Sequence, residues 1–355
     1  MHDIAIIGLG PAGSTLARLL SNKFDIIALD KKSISGSEGF QKPCGGLLAV
    51  DAQKALSKLN LTLPKDILVD PQIFAVKTVD LKQHITRHYQ RFYMNMDRHK
   101  FDLWLMSLIP SHVRIEDESI CVDIQKKNGI FVIRYMKDKH MNTIEAKYII
   151  GADGANSIVR RKLFPNKSIR QYISIQEWYE DKNLRPLYSC FFDASITDCY
   201  AWSLTKDGFL IVGGAFPLKQ GNEKFESLKN KLKENGYSLG DVVKRESCLV
   251  LRPSNLLDCF PGSKNSFLIG ESAGLISPSS LEGISYAFES AMSLAKIINM
   301  NFKKPNRIYN RCIGLMKIRL TLKNIKSFFM YFPLMRWLVM KCKINSIDIM
   351  DDSLF

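Results

Sequence analysis

The 355-residue chain has no C-x-x-C pair. Its eight cysteines stand apart at positions 44, 121, 190, 199, 248, 259, 312 and 342. That spread disfavours zinc ribbons and thioredoxin-type redox sites, and reads as reduced thiols in a cytoplasmic protein. No run of 18 uncharged apolar residues occurs. The nearest, Phe328 to Met340, contains Pro333 and Arg336 and is too short for a bilayer core of about 30 Å. Met1 leads straight into an apolar strand-like run, with no basic n-region and h-region, so no secretory leader is expected. The six histidines lack metal-ligand spacing, because His84 and His88 are four apart in a stretch that reads as strands; no metal site is expected. There is no P-loop, no nucleophile elbow and no second G-x-G-x-x-G. Acidic residues are missing from one region: residues 296–345 hold twelve Lys/Arg and no Asp or Glu. The formal net charge of +15 is mostly a property of that segment, since residues 1–295 carry 38 basic and 32 acidic side chains.

What is present begins at the N-terminus. Residues 4–7 are apolar and rich in β-branched side chains, and Gly8-Leu9-Gly10-Pro11-Ala12-Gly13 follows. Leu16, Leu19 and Leu20 then recur at helical spacing, and Phe24 to Leu29 is a second apolar run closed by Asp30 and Lys31. This is a βαβ unit. Gly8 permits the tight turn, Gly10 lets backbone approach a pyrophosphate, and Gly13 lets helix and strand pack closely. The helix start offers free N–H groups to phosphate. Asp30, 22 residues beyond Gly8, stands where a carboxylate binds a ribose hydroxyl. The motif by itself does not separate NAD from FAD.

Two further strands end in glycine turns that carry an acid: Gly151-Ala152-Asp153-Gly154 after residues 148–150, and Gly270-Glu271-Ser272-Ala273-Gly274 after residues 267–269. One nicotinamide cofactor does not need three such turns, whereas an extended FAD does. Elsewhere, residues 72–96 and 171–253 read as strands, with a charged helix near 222–235. Asp97 to Leu108 and Leu281 to Met300 read as helices, and residues 113–150 as three strands.

These turns resemble the FAD motifs of the para-hydroxybenzoate hydroxylase fold, although the third usually carries Asp where this chain has Glu271. Within that fold, Lys42-Pro43-Cys44-Gly45-Gly46 resembles the signature of the geranylgeranyl reductase family. The stretches Lys42 to Leu48, Tyr188 to Trp202 and Leu281 to Ala287 resemble its bacterial members. The resemblance implies an α/β (α+β) architecture: a Rossmann-like FAD-binding domain over residues 1–70, 97–170 and 260–300, an interleaved antiparallel-sheet substrate domain over 71–96 and 171–259, and a C-terminal helical segment over 301–355. It implies that Glu271 binds the ribityl chain and Asp153 the ribose and pyrophosphate region with Gly154. Gly283 and Ile284 would open a helix at the flavin N1/O2 edge, and Arg98 would open the helix beneath the cofactor. Cys44 is expected beside the flavin ring, as proton donor, gate of flavin motion or structural residue. Tyr200-Ala201-Trp202-Ser203-Leu204-Thr205-Lys206 matches the family's Y-x-W-x-F-P-K pattern at Tyr200, Trp202 and Lys206. Tyr200 and Trp202 alternate in a strand and so share a face; the resemblance makes that face a substrate-tunnel roof.

The expected function is FAD-dependent reduction of C=C bonds in a prenyl lipid. Two alternatives stay open: an FAD monooxygenase of aromatic or polyketide-like compounds, and a non-catalytic membrane-associated flavoprotein. The electron donor would be NAD(P)H or another protein. The basic, apolar segment 296–345 suits the anionic inner face of a membrane or a cap on the fold, and no nucleic-acid partner is expected.

Overall fold

The computed structural model describes residues 1–35, 40–180, 187–302 and 304–349. Residues 36–39 of the expected FAD-binding domain, 181–186 of the expected substrate domain, and 303 and 350–355 of the expected C-terminal segment lie outside them.

Two sheets make up the fold. The first runs in the order Gly262–Ser263, Ser266–Leu268, His140–Gly151, His2–Ile7, Ile26–Leu29, Val113–Glu116. Its central pairings are parallel, with Ile4 opposite Ile26 on one side and Tyr148 on the other. Ile4, Ile6, Ile26 and Ile27 are all fully buried, as expected for parallel strands covered on both faces. Strands Ile120–Lys127 and Ile130–Lys137 join the edge of His140–Gly151 as an antiparallel meander. Helices Pro11–Leu19 and Ile284–Asn299 share one core with this sheet. The first of these is only nine residues long, too short to hold itself in water. Its stability comes from packing, as buried Leu16 alone contributes about 1.5–3 kcal/mol.

The second sheet runs Val242–Leu251, Gln171–Glu180, Phe209–Pro217, Ala201–Lys206, Leu187–Phe192, Ile73–Asp80, Ile85–Asn95, Leu47–Leu48. Its pairings are antiparallel except that Leu187–Phe192 runs parallel to Ile73–Asp80. Helix Gly221–Glu234 covers one face through Phe225, Leu228 and Leu232, against Ile175, Val212 and Phe216. The opposite face carries Tyr188, Tyr200, Trp202 and Leu204. Alternation along the strand sends Ala201 to the helix side and Tyr200 and Trp202 together to the other.

Helix Val50–Lys58 was not foreseen, though Ala52, Ala55, Leu56 and Leu59 have helical spacing and are buried. The C-terminal segment forms helices Pro305–Tyr331 and Pro333–Lys341, each opened by proline at its first position. The long helix buries Tyr309, Ile313, Met316 and Leu320 in the first sheet's core. At its far end Met330 and Tyr331 pack on the aromatic face of the second sheet. Tyr331 Oη donates to the Ser279 carbonyl at 2.7 Å. Arg336, on the following helix, is buried and meets buried Asp80 at 2.8 Å. None of the described helices is long and apolar enough to cross a membrane.

Candidate functional site

A cleft of about 1480 Å³ lies between the sheets and is lined from both. Ordinary ligand pockets hold about 300–1,000 Å³, so this one has room for a large cofactor and a second molecule. Among the expected site residues, Gly8, Gly10, Pro11, Ala12, Asp30, Lys31, Cys44, Gly45, Gly46, Arg98, Asp153, Gly154, Tyr200, Trp202, Glu271, Gly283 and Ile284 line it. Gly13 and Gly270 stand behind the wall and set its spacing. A Cβ at Gly13 would collide with the Gly8 carbonyl oxygen, and one at Gly270 would press Ala12 at 3.2 Å.

The first turn is cut for a phosphate-bearing ligand. Gly8 adopts φ +97° and lies against Ala152 of the second glycine turn. A Cβ at Gly10 would meet nothing within 4 Å, and no side chain caps the helix that begins at Pro11. Its N–H groups are therefore available to an anion. Asp30 accepts from Leu9 N–H and from Lys32 N–H (2.7 Å), so the acid expected to bind ribose also ties the strand end to the turn.

Asp153 accepts from Ile158 N–H at 2.7 Å through Oδ2. Its buried Oδ1 has no partner among the described residues, and burial raises its pKa. A buried orphaned acceptor of this kind calls for a donor from outside the chain. Arg160 ties this turn to the third, donating to Ala155 O (2.7 Å) and Ser272 O (2.8 Å).

Glu271 lines the cleft with one partner on each carboxylate oxygen. Its Oε1 accepts from Leu251 N–H at 2.9 Å and its Oε2 faces Lys42 Nζ at 3.4 Å. The Glu271 charge holds the Lys42 ammonium above the ordinary lysine range despite burial. The helix start at Gly283 is more occupied than expected. Glu282 accepts from Ser285 N–H (2.8 Å) and from its hydroxyl (2.7 Å), leaving Gly283 and Ile284 to face the cleft. Burial raises the Glu282 carboxyl pKa. Beside it, Leu281 sits at φ +53°, a costly conformation for a bulky residue.

Cys44 lines the cleft, and its sulfur accepts from Gly46 N–H at 3.4 Å. Arg98 bonds Asp102 at 2.9 Å. Burial opposes its charge, but Asp102 and the Cys44 sulfur outweigh it and hold the guanidinium above the ordinary arginine range. Cys248 approaches the same loop, 3.5 Å from Pro43 O, and burial pushes its thiol up. In the same cleft, Tyr200 and Trp202 lie 5.6 Å apart between ring centres, and Tyr93 and Tyr188 5.8 Å. Tyr188 Oη reaches Tyr200 Oη at 3.4 Å, and Tyr200 donates to Ser280 O at 2.9 Å. Burial keeps these phenols protonated, with Tyr93 pushed up to about 12.

Three of these residues, Glu282, Cys248 and Lys206, had no site role in the sequence. Lys206 had a visible signal, closing the aromatic motif. It is buried, and its Nζ donates to Gly45 O and Met96 O, both at 2.7 Å, clamping the Cys44 loop to the second sheet. Burial lowers its pKa from the ordinary 10.5 to about 8. Between those pH values the unfolded chain holds a proton that the folded protein has released, so stability rises with pH across the window. Urea unfolding at several pH values checks this. Relative to Lys206→Met, the wild type gains up to about 1.4 kcal/mol per pH unit between 8 and 10.5. A pH-independent difference would contradict the assignment.

Among the described residues no group of three His, Cys, Asp or Glu could hold a metal ion. A family described as an FAD binding domain matches residues 116–180, which include the second glycine turn. Protein CbrA of Escherichia coli strain K12 is 48% identical over 350 residues, 99% of this chain and 99% of that protein. The structure is similar to that of a geranylgeranyl bacteriochlorophyll reductase-like protein from Thermoplasma acidophilum, with TM-score 0.78 and 19% identity over 94% of this chain and 87% of that one. It is also similar to PqsL, described as a probable FAD-dependent monooxygenase, from Pseudomonas aeruginosa: TM-score 0.69, 15% identity, 96% and 98% coverage. At these identities the two solved structures establish the fold alone. The residues present fit FAD. The open cradle at Gly10 with the uncapped helix suits its pyrophosphate, and the acid-bearing turns suit its hydroxyls.

Proposed function

The chain belongs to the CbrA family and binds FAD as an oxidoreductase, and from that footing we propose that it reduces C=C bonds in the prenyl chain of a lipid. The observation that carries the reading is the wall formed by Tyr93, Tyr188, Tyr200 and Trp202 in the cleft that also holds the Cys44 loop and the FAD turns. Aromatic faces bind a flexible apolar chain by dispersion and keep water out. The likeness in fold to a geranylgeranyl reductase-like protein supports the reading.

Bound in its reduced form, FAD would supply hydride for one alkene carbon. The chain's own residues do the rest. Tyr200, fixed through Ser280 O, and Trp202 hold the substrate chain flat. An unactivated alkene is a poor acceptor, so this alignment supplies much of the rate. Cys44 Sγ gives the proton to the second carbon, and Arg98 beside it stabilises the thiolate left behind. Lys206 and the Gly46 N–H keep that sulfur in place. Solvent then returns the proton to sulfur.

The test is single turnover of dithionite-reduced protein with polyprenyl lipids, without oxygen, followed by mass spectrometry. The substrate gains two hydrogens, and Cys44→Ala slows the step about a hundredfold while retaining FAD. No mass gain on any polyprenyl lipid, together with oxygen-dependent hydroxylation of an aromatic compound, would replace the reductase by the monooxygenase.

A further inference from the structure

The two C-terminal helices have an inner face that is explained and an outer face that is not. Inward, Tyr309, Ile313, Met316 and Leu320 fill the core. Outward, Leu315, Ile318, Leu322, Ile325, Phe329 and Phe332 recur at alternating spacings of three and four, each between 45 and 72% exposed. Solitary exposed apolar residues are ordinary, but a continuous stripe of this kind marks an interaction surface. Leu334 and Leu338 extend it onto the second helix.

Charge decides what the stripe meets. Residues 296–345 hold twelve basic side chains and no acidic ones. Arg319, Lys323 and Arg336 are paired with Glu289, Asp51 and Asp80. Among the described residues, no carboxylate pairs with Arg311, Lys317, Lys326 or Lys341. A second copy of the chain would bring an identical basic face and be repelled. A bilayer with anionic headgroups takes both features at once, accepting the apolar side chains at the acyl boundary and the lysines at the phosphates.

Position points the same way. Leu322, Ile325 and Phe329 belong to both the stripe and the cleft wall, where Arg91, Lys323 and Lys326 stand with them. Burial, and then the positive charges of Arg91 and Lys323, lower the Lys326 pKa. We infer that the outer face of helices Pro305–Tyr331 and Pro333–Lys341 docks on an anionic lipid bilayer and sets the cleft mouth against it. The docking does not rest on the proposed reaction; only the entry of a prenyl chain by this mouth does.

Vesicle sedimentation of the FAD-loaded full chain tests it. The protein pellets with vesicles containing phosphatidylglycerol, is released by high salt, and stays in solution with phosphatidylcholine alone. Leu315→Glu with Ile318→Glu weakens binding at least about tenfold, and Lys317→Glu with Lys341→Glu does so by roughly fivefold per site. Circular dichroism and flavin content, which both pairs leave unchanged, separate lost docking from lost folding. Equal binding to both vesicle types, or none, overturns the inference. So does a dimer broken by Leu315→Glu with Ile318→Glu while vesicle binding persists, which would give the face to a second copy. Activity on detergent-dispersed substrate, measured separately, reports on the reaction without the membrane.

Discussion

Replacing Gly13 with valine yields a folded protein that no longer retains FAD. A Cβ at this position lies inside the contact distance of Gly8 O, 2.9 Å from Gly8 C and 3.2 Å from Ala152 Cβ. Backbone on two turns cannot yield to it, so the helix that starts at Pro11 must move off the strand. Overpacking of that kind costs about 1–3 kcal/mol in any core. Here it also carries the open N–H groups away from the pyrophosphate. The expected result is binding weakened by at least about a hundredfold, roughly 2.7 kcal/mol, read as loss of the flavin band from the purified protein. Gly10→Val separates crowding of the ligand from damage to the fold. Its Cβ meets no protein atom within 4 Å, so the apoprotein's thermal midpoint stays put while FAD is lost. If both variants keep the flavin, FAD does not lie in this cradle.

The second large effect lies in the C-terminal segment. Arg336→Met leaves the carboxylate of Asp80 buried without its cation. Asp80 is fully buried and still accepts from Lys82 N–H and Gln83 N–H. Those bonds fix its place but carry no countercharge. Arg336 Nη1 also donates to Met330 O at 2.8 Å, so the side chain pins the break between the two C-terminal helices. Removing one partner of a buried pair costs about 3–5 kcal/mol. Urea unfolding should lose that much in Arg336→Met and recover most of it when Asp80→Asn is added, as a double-mutant cycle measures. A loss below about 1 kcal/mol would mean that the pair does not anchor this segment.

The parts that were legible in the sequence are local. The strand, Gly8 to Gly13 and Asp30 form a pattern complete within 30 residues, and the structure assembles it as read. The pairing of Tyr200 with Trp202 follows from strand alternation alone. What escaped depends on contacts across the chain. Lys206 owes its role to Gly45 and Met96, more than a hundred positions away. The partners of Glu271, Lys42 and Leu251, are likewise distant in sequence. Glu282 is an exception, because its partner Ser285 is only three residues on, across the start of the helix. The long C-terminal helix hid its two faces for another reason. Apolar residues line both its buried side at 309, 313, 316 and 320 and its exposed side at 315, 318, 322, 325 and 329. Two opposed stripes cancel in a helical-period reading, which then reports a helix without a direction.

The first sheet draws its strands from residues 2–29, 113–151 and 262–268, and its core is closed by helices as late as 284–299 and 305–331. That order has a kinetic consequence. The strand His2–Ile7 leaves the ribosome first, yet its neighbour Tyr148 follows about 140 residues later, and the strand beyond that is later still. At synthesis rates of about 5–20 residues per second, the N-terminal βαβ unit waits many seconds with an apolar edge unpaired. High contact order of this kind slows folding and exposes strand edges to the wrong partners. The cofactor cradle, built from three turns that meet only when the sheet is complete, is therefore among the last features of the nascent chain to form.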